Sequence, residues 1–197
     1  MRLTCRNRES EDFMSDQSET LCERAKAGDL EAASALVTQH YQRLFGWFRR
    51  LCGHDEEAED LTQKTFCKVW AALDTFQARS SFSTWIHGIG YHVYLDWRRR
   101  GNPAAQPDEG WWLACADDSP SPFENAAERE QAHQLYALVD QLDEETRQTV
   151  HIHYYQGLSL AETAAVLGIA TSTVKYRLRE AIEFLKARTA EPHVRTR

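Results

Sequence analysis

The chain has 197 residues, 42% of them hydrophobic and 27% charged, and a formal net charge of −7; such proportions exclude a fibre or a wholly disordered tail. No run of about 18 apolar residues is present and no apolar segment of signal-peptide length follows the first arginines, so a cytoplasmic protein without a membrane span is expected. The five cysteines include no C-x-x-C pair, which argues against zinc or dithiol chemistry and leaves reduced, mostly buried thiols as the expectation.

The first helical pattern runs through Leu36, Tyr41, Leu44, Phe48 and Leu51 and stops at Gly53. The stretch HDEEAEDLTQKTFCKVWAAL follows. Asp55 is its expected N-cap, its acids sit in the first turn where the helix dipole favours them, and Ala58, Leu61, Val69 and Leu73 form its apolar stripe. After the loop DTFQARSS comes TWIHGIGYHVYLDWRRRG, a third helix despite two interior glycines. At about 100° per residue, Ile86, Ile89, Gly90, Val93 and Trp97 line one side, and His87, Tyr91, Tyr94 and Arg98 share an arc on another. Two readings of that second arc stand side by side. It is either core with a helix-end arginine cluster, or a surface that stacks on unpaired bases while Arg98, Arg99 and Arg100 hold a phosphate backbone.

Residues 101–124 hold four of the five prolines and no lysine or arginine, which marks a linker. Its Trp111, Trp112 and Leu113 form an apolar patch suited to docking on one of the domains or on a partner. The surplus acid lies between residues 102 and 130, whereas 158–190 is net basic, so the total charge does not exclude a nucleic-acid partner.

The second block opens near Glu124, and a helix is expected from Asp143 to about Gln156, closed by Gly157. Ser159 and Glu162 have the spacing of a capping box, Gly168 ends a short helix, and Thr171 is placed to cap the next. Helix, glycine turn and helix in this order form a helix-turn-helix pattern. Val174, Leu178, Ala181, Ile182 and Leu185 are the expected buried side of the last helix. Ser172, Thr173, Lys175, Tyr176 and Arg179 are the candidates for base and phosphate contact in a major groove. His151 and His153, at i and i+2, point to different sides of a helix and make a poor metal pair, and no nucleophile constellation or phosphate-binding loop is visible. No cofactor, metal, small-molecule substrate or catalytic site is expected.

Over residues 20–188 the chain resembles the extracytoplasmic-function (ECF) group of bacterial sigma-70 family sigma factors. DEEAEDLTQKTFCKVWAALDTF is similar to that family's region 2.2, SSFSTWIHGIGYHVYLDWRRR to regions 2.3 and 2.4, and the segment from Leu138 to Ala187 to region 4. The resemblance implies an all-α fold of two small helical domains joined by an acidic, Pro-containing linker. Its implied boundaries are 1–19 for a disordered N-terminal extension, 20–101 for region 2, 102–124 for the linker, 125–188 for region 4 and 189–197 for a flexible tail. It also implies core RNA polymerase as partner, with Asp60, Gln63, Phe66 and Trp70 on the β′ clamp helices and a further contact on the β flap. Promoter DNA would be single-stranded at minus-10, on Phe76, Arg79, Ser80, Ser81, His87, Tyr91, Tyr94 and Arg98, and duplex at minus-35, on Ser172, Thr173, Lys175, Tyr176 and Arg179. The loop DTFQARSSF resembles one that captures a flipped base. An anti-sigma factor is left open as a further partner. Gly88, Gly90 and His92 depart from the family's usual arginine, alanine and asparagine, and Lys64 stands where a glutamate is common. Met14 resembles a usual family start more than Met1 does. The rival readings are a helix-turn-helix regulator that binds duplex DNA without core polymerase, and a metal-dependent hydrolase using His151 or Asp60.

Overall fold

The computed structural model describes residues 18–101 and 134–189. The chain divides into two compact units between residues 105 and 106. The linker patch at Trp111–Leu113, the alternative start at Met14 and the tail from residue 190 lie outside the described residues.

The first unit contains α1 (residues 18–26), α2 (Leu30–Cys52), α3 (Asp55–Ala72) and α4 (Phe82–Arg99), with a short 3-10 turn at Leu73–Thr75. Residues 18 and 19 therefore belong to a helix and not to an extension. The N-cap of α2 is Asp29, whose carboxylate accepts from the backbone N–H groups of Glu31 and Ala32 at 3.0 and 3.1 Å. Gly53 ends it at φ 81°, a left-handed conformation suited to glycine, and donates to the Arg49 carbonyl at 2.9 Å. Asp55 does not cap α3. It is the first helical residue and pairs with Arg49, and His54 holds the cap position without a side-chain bond.

Leu36, Leu44 and Phe48 of α2, Ala58, Leu61 and Val69 of α3, and Phe82, Ile86 and Val93 of α4 are buried together. Burying each large apolar side chain contributes about 1.5–3 kcal/mol relative to exposure. Gly90 has a packing reason that the sequence alone did not give. A Cβ there would lie 3.1 Å from both Phe48 Cζ and Trp47 Cζ3 and 3.6 Å from Leu44 Cδ2, so the bare backbone lets α4 approach the α2 aromatics. A Cβ at Gly88 would meet nothing within 4 Å.

His40 sits in this core with its ring centroid 5.1 Å from that of Phe82, and neither ring nitrogen has a hydrogen-bond partner among the described residues. Burial, reinforced by the nearby His87 and Arg43, pulls its pKa from 6.5 down to about 4. The folded state thus holds His40 neutral while the unfolded chain protonates it below about 6.5. Its contribution is present above that pH and is lost as pH falls toward 4, costing up to about 3 kcal/mol. Urea unfolding at pH 7 and pH 4.5 should show this loss, and His40→Leu should shrink the difference between the two.

The second unit contains α5 (residues 134–140), α6 (Glu144–Val150) running into a π-helical segment at His151–Tyr155, α7 (Leu160–Leu167) and α8 (Thr171–Thr189). Its core joins Val139, Leu142, Val150, Ala164, Val174, Leu178 and Ala181, with Leu160, Ile169, Phe184 and Leu185 packed against it. Asp143 caps α6 by accepting from Thr146 N–H at 3.0 Å. The capping box is formed: Ser159 Oγ accepts from Glu162 N–H, and the Glu162 carboxylate accepts from Ser159 N–H at 2.9 Å. Gly168 then turns the chain at φ 66°. Thr171 begins α8 instead of capping it, and the Ala170 carbonyl accepts from the N–H groups of Thr173 and Val174.

Candidate nucleic-acid interface

The helix-turn-helix places α8 with Val174, Leu178 and Ala181 buried and Ser172, Lys175, Tyr176 and Arg179 exposed on one face, Thr173 at its half-buried edge. The Arg179 guanidinium lies 5.4 Å from the centroid of the Tyr176 ring, a cation–π contact that narrows the arginine's range of poses. Arg177 was not singled out by its sequence position. Its side chain is only 17% exposed and pairs with Glu145, fixing α8 to the start of α6. Ile182, expected in the core, is 39% exposed.

His151 is 1% exposed and its ring stacks on Tyr155 at 5.0 Å, while His153 Nδ1 lies 2.7 Å from the Leu158 carbonyl oxygen. Packing and backbone contacts thus account for both histidines. Among the described residues no three His, Cys, Asp or Glu side chains are arranged to share a metal ion.

On α3, Asp60 and Gln63 are exposed, Asp60 pairing with Lys64 and Gln63 reaching Glu59 at 3.4 Å. Trp70 is half-buried. Phe66 differs from the expected surface position. It is 7% exposed because it falls on the helix side that also buries Thr62 and Val69, and its ring stands between Tyr41 at 6.4 Å and Trp70 at 6.5 Å. An aromatic row of Phe45, Tyr41, Phe66 and Trp70 results, with Phe66 supporting its half-buried neighbours.

The arc His87, Tyr91, Tyr94 and Arg98 is not one continuous surface. His87 is fully buried and Tyr94 is 1% exposed, while Tyr91 and Arg98 are half-buried. The core-facing side of α4 is wider than its aliphatic residues suggested. His87 can enter it because its Nδ1 lies 2.6 Å from the Ser83 carbonyl oxygen, one turn back, and its ring packs 5.4 Å from Trp47. Tyr94 stacks on Trp97 at 6.0 Å. His92, Arg99 and Arg100 are exposed, so the accessible track along α4 is formed by Tyr91, His92, Arg98, Arg99 and Arg100.

In the loop before α4, Arg79 is exposed and Ser80 half-buried. Ser81 is the N-cap, its Oγ accepting from Thr84 N–H at 3.2 Å, so its hydroxyl serves the helix. Phe76 is 5% exposed, its ring edge-on to Phe82 at 5.6 Å and 5.1 Å from Trp85. Trp85 is a further half-buried aromatic beside this loop, packed against Phe76 and Phe82. Ala78 holds φ 51°, a left-handed conformation costing a non-glycine residue about 1–2 kcal/mol, so the loop carries a bend its sequence does not favour.

Burial pushes the Cys22 thiol up to about 12 and the Cys52 thiol up to about 11, which leaves both unreactive near neutral pH. Cys67, by contrast, is exposed on α3.

The sequence matches the family models of sigma-70 region 2 over residues 36–103 and sigma-70 region 4 over residues 132–185. It is 33% identical over 153 residues to the ECF RNA polymerase sigma factor SigE of Mycolicibacterium smegmatis, covering 77% of this chain and 59% of that protein. It is 28% identical to the ECF RNA polymerase sigma factor SigX of Bacillus subtilis, covering 84% of this chain and 91% of the relative. Among solved structures it is similar to CnrH in complex with the cytosolic domain of CnrY, at TM-score 0.64 and 26% identity over 88% of this chain and 97% of that one. The sigma factor RpoE of Bartonella quintana, solved with the anti-sigma factor NepR, shares the fold at TM-score 0.57 and 21% identity over 81% of this chain and 96% of that one. With a region 2 bundle and a region 4 helix-turn-helix in one chain, the protein belongs to the ECF group of the sigma-70 family of RNA polymerase sigma factors.

Proposed function

We propose that the chain is a promoter-specificity subunit without a catalytic step of its own, acting in the cytoplasm on core RNA polymerase and promoter DNA. The observation that carries this reading is the presence, in one chain, of a region 2 match over residues 36–103 and an α8 face exposing Ser172, Lys175, Tyr176 and Arg179. A regulator that used the helix-turn-helix alone would leave the first unit without a task. No described helix is long and apolar enough to cross a membrane.

In this reading α8 enters the minus-35 major groove. Arg179 reads a guanine edge, Lys175 neutralises phosphate, and the Ser172 and Thr173 hydroxyls add contacts at the helix start. The first unit serves the melted minus-10 strand. Tyr91 and His92 offer rings to unpaired bases, and Arg98, Arg99 and Arg100 follow the backbone. Arg79 and Ser80 supply a polar rim for one flipped base. Asp60, Gln63 and Trp70 meet the β′ clamp helices, and the second unit contacts the β flap. An anti-sigma protein is the further partner class.

Immobilised protein should capture purified core polymerase. Replacing Asp60 with Arg, or Trp70 with Ala, should weaken capture by roughly tenfold or more, the usual size for a central interface residue. Unchanged capture by both variants would contradict the assignment of this face.

A further inference from the structure

Lys26, the last residue of α1, reaches across 50 positions of sequence to the loop before α4. Its Nζ donates to the Phe76 carbonyl at 2.7 Å and lies 5.8 Å from the centroid of the Phe76 ring. The Glu23 carboxylate holds the same ammonium at 2.8 Å, and the Lys26 side chain is only 19% exposed, so water competes poorly for this contact. The contact falls where the loop has little freedom. Phe76 is wedged against Phe82 and Trp85, and two residues on the chain takes its left-handed bend at Ala78. Arg79 and Ser80 follow that bend directly, so the pose of Phe76 sets the direction in which they leave it. Lys26 lies outside the residues matched by the region 2 model.

We infer that Lys26 is a positioning residue for promoter specificity: through the Phe76 carbonyl, α1 holds the loop 76–81 in the bent pose that presents Arg79 and Ser80 to the minus-10 base. This rests on the proposed role of the loop. Without the lysine the loop still closes on its aromatic anchor, but Arg79 and Ser80 sample several directions and discriminate less sharply among bases.

The experiment uses the full chain with core polymerase on templates that differ at single minus-10 positions, scoring the ratio of opening between the preferred base and each alternative. Lys26→Met should reduce that ratio at one position by roughly five- to tenfold, the size of one hydrogen bond, with capture of core polymerase and binding to minus-35 duplex unchanged. Lys26→Arg, which keeps a donor, should recover part of the preference. An equal loss on all templates would mark Lys26 as merely structural and overturn the inference. Ala78→Val, whose β-branched side chain is strained at positive φ, opposes the bend without touching the lysine and should blunt the same position; if Lys26→Met does not fold, an unchanged ratio in Ala78→Val overturns the inference instead. Arg79→Ala and Ser80→Ala separate the two levels. If they shift the ratio and Lys26→Met does not, only the role of Lys26 fails; if none shifts it, base capture by the loop fails.

Discussion

Gly90→Leu is expected to lower the thermal midpoint of the first unit by about 10–15 °C. The new side chain would have to displace Phe48 and Trp47, whose ring atoms already lie 3.1 Å from where its Cβ would stand. Overpacking of this kind costs up to about 3 kcal/mol, and the better helix propensity of leucine returns a little under 1 kcal/mol, leaving about 2 kcal/mol of net destabilisation. A domain of this size shifts by about 4–8 °C per kcal/mol. Gly88→Ala, two residues earlier and in open space, should instead raise the midpoint by about 5 °C. Four of the six tryptophans, Trp47, Trp70, Trp85 and Trp97, lie in the first unit, so the larger part of the tryptophan emission on heating reports on it. Equal midpoints for Gly90→Leu and the parent chain would contradict the close approach of α4 to α2.

Arg179→Ala should flatten preference at one or two base pairs of the minus-35 element by about 1–3 kcal/mol, roughly five- to a hundredfold in relative affinity. Lys175→Ala should behave differently, lowering affinity on all sequences alike and reducing the slope of affinity against salt by about one. Competition binding on single-substitution duplexes at two salt concentrations reads both. A uniform loss for Arg179→Ala would reassign it to phosphate, and the Tyr176 ring beneath it would then serve to hold a backbone contact.

What could be read from the sequence was what is encoded locally. Ser159, Glu162 and Gly168 lie within a few residues of the groups they bond, and the Val174, Leu178, Ala181 stripe shows itself by its helical spacing, so the helix-turn-helix followed from them. The α4 surface was harder because a helical wheel places its core by aliphatic residues. His87 is polar, and its contact with the Ser83 carbonyl is what lets it be buried; Tyr94 is carried inside by stacking on Trp97. Half of the expected base-stacking arc, His87 and Tyr94, was therefore lost to the core; Tyr91 and Arg98 stay half-buried, and exposed His92 is a ring that the arc did not include. Gly90, Arg177 and Lys26 depend on partners 42, 32 and 50 residues away at Phe48, Glu145 and Phe76, and no periodicity signals such pairings. The π-helical stretch at His151–Tyr155 likewise has no local signature that separates it from the α-helix it continues.

Promoter opening tests the central claim most directly. Core polymerase alone and core polymerase with this chain are each mixed with a library of duplexes carrying random minus-35 and minus-10 elements, and unpaired thymines are detected with permanganate. The expected result is reactive thymines at minus-10 only with the chain present, on a subset of the library sharing both elements, and lost with Arg179→Ala on those selected sequences. Duplex binding by the chain with no opened template in the presence of core polymerase would contradict it.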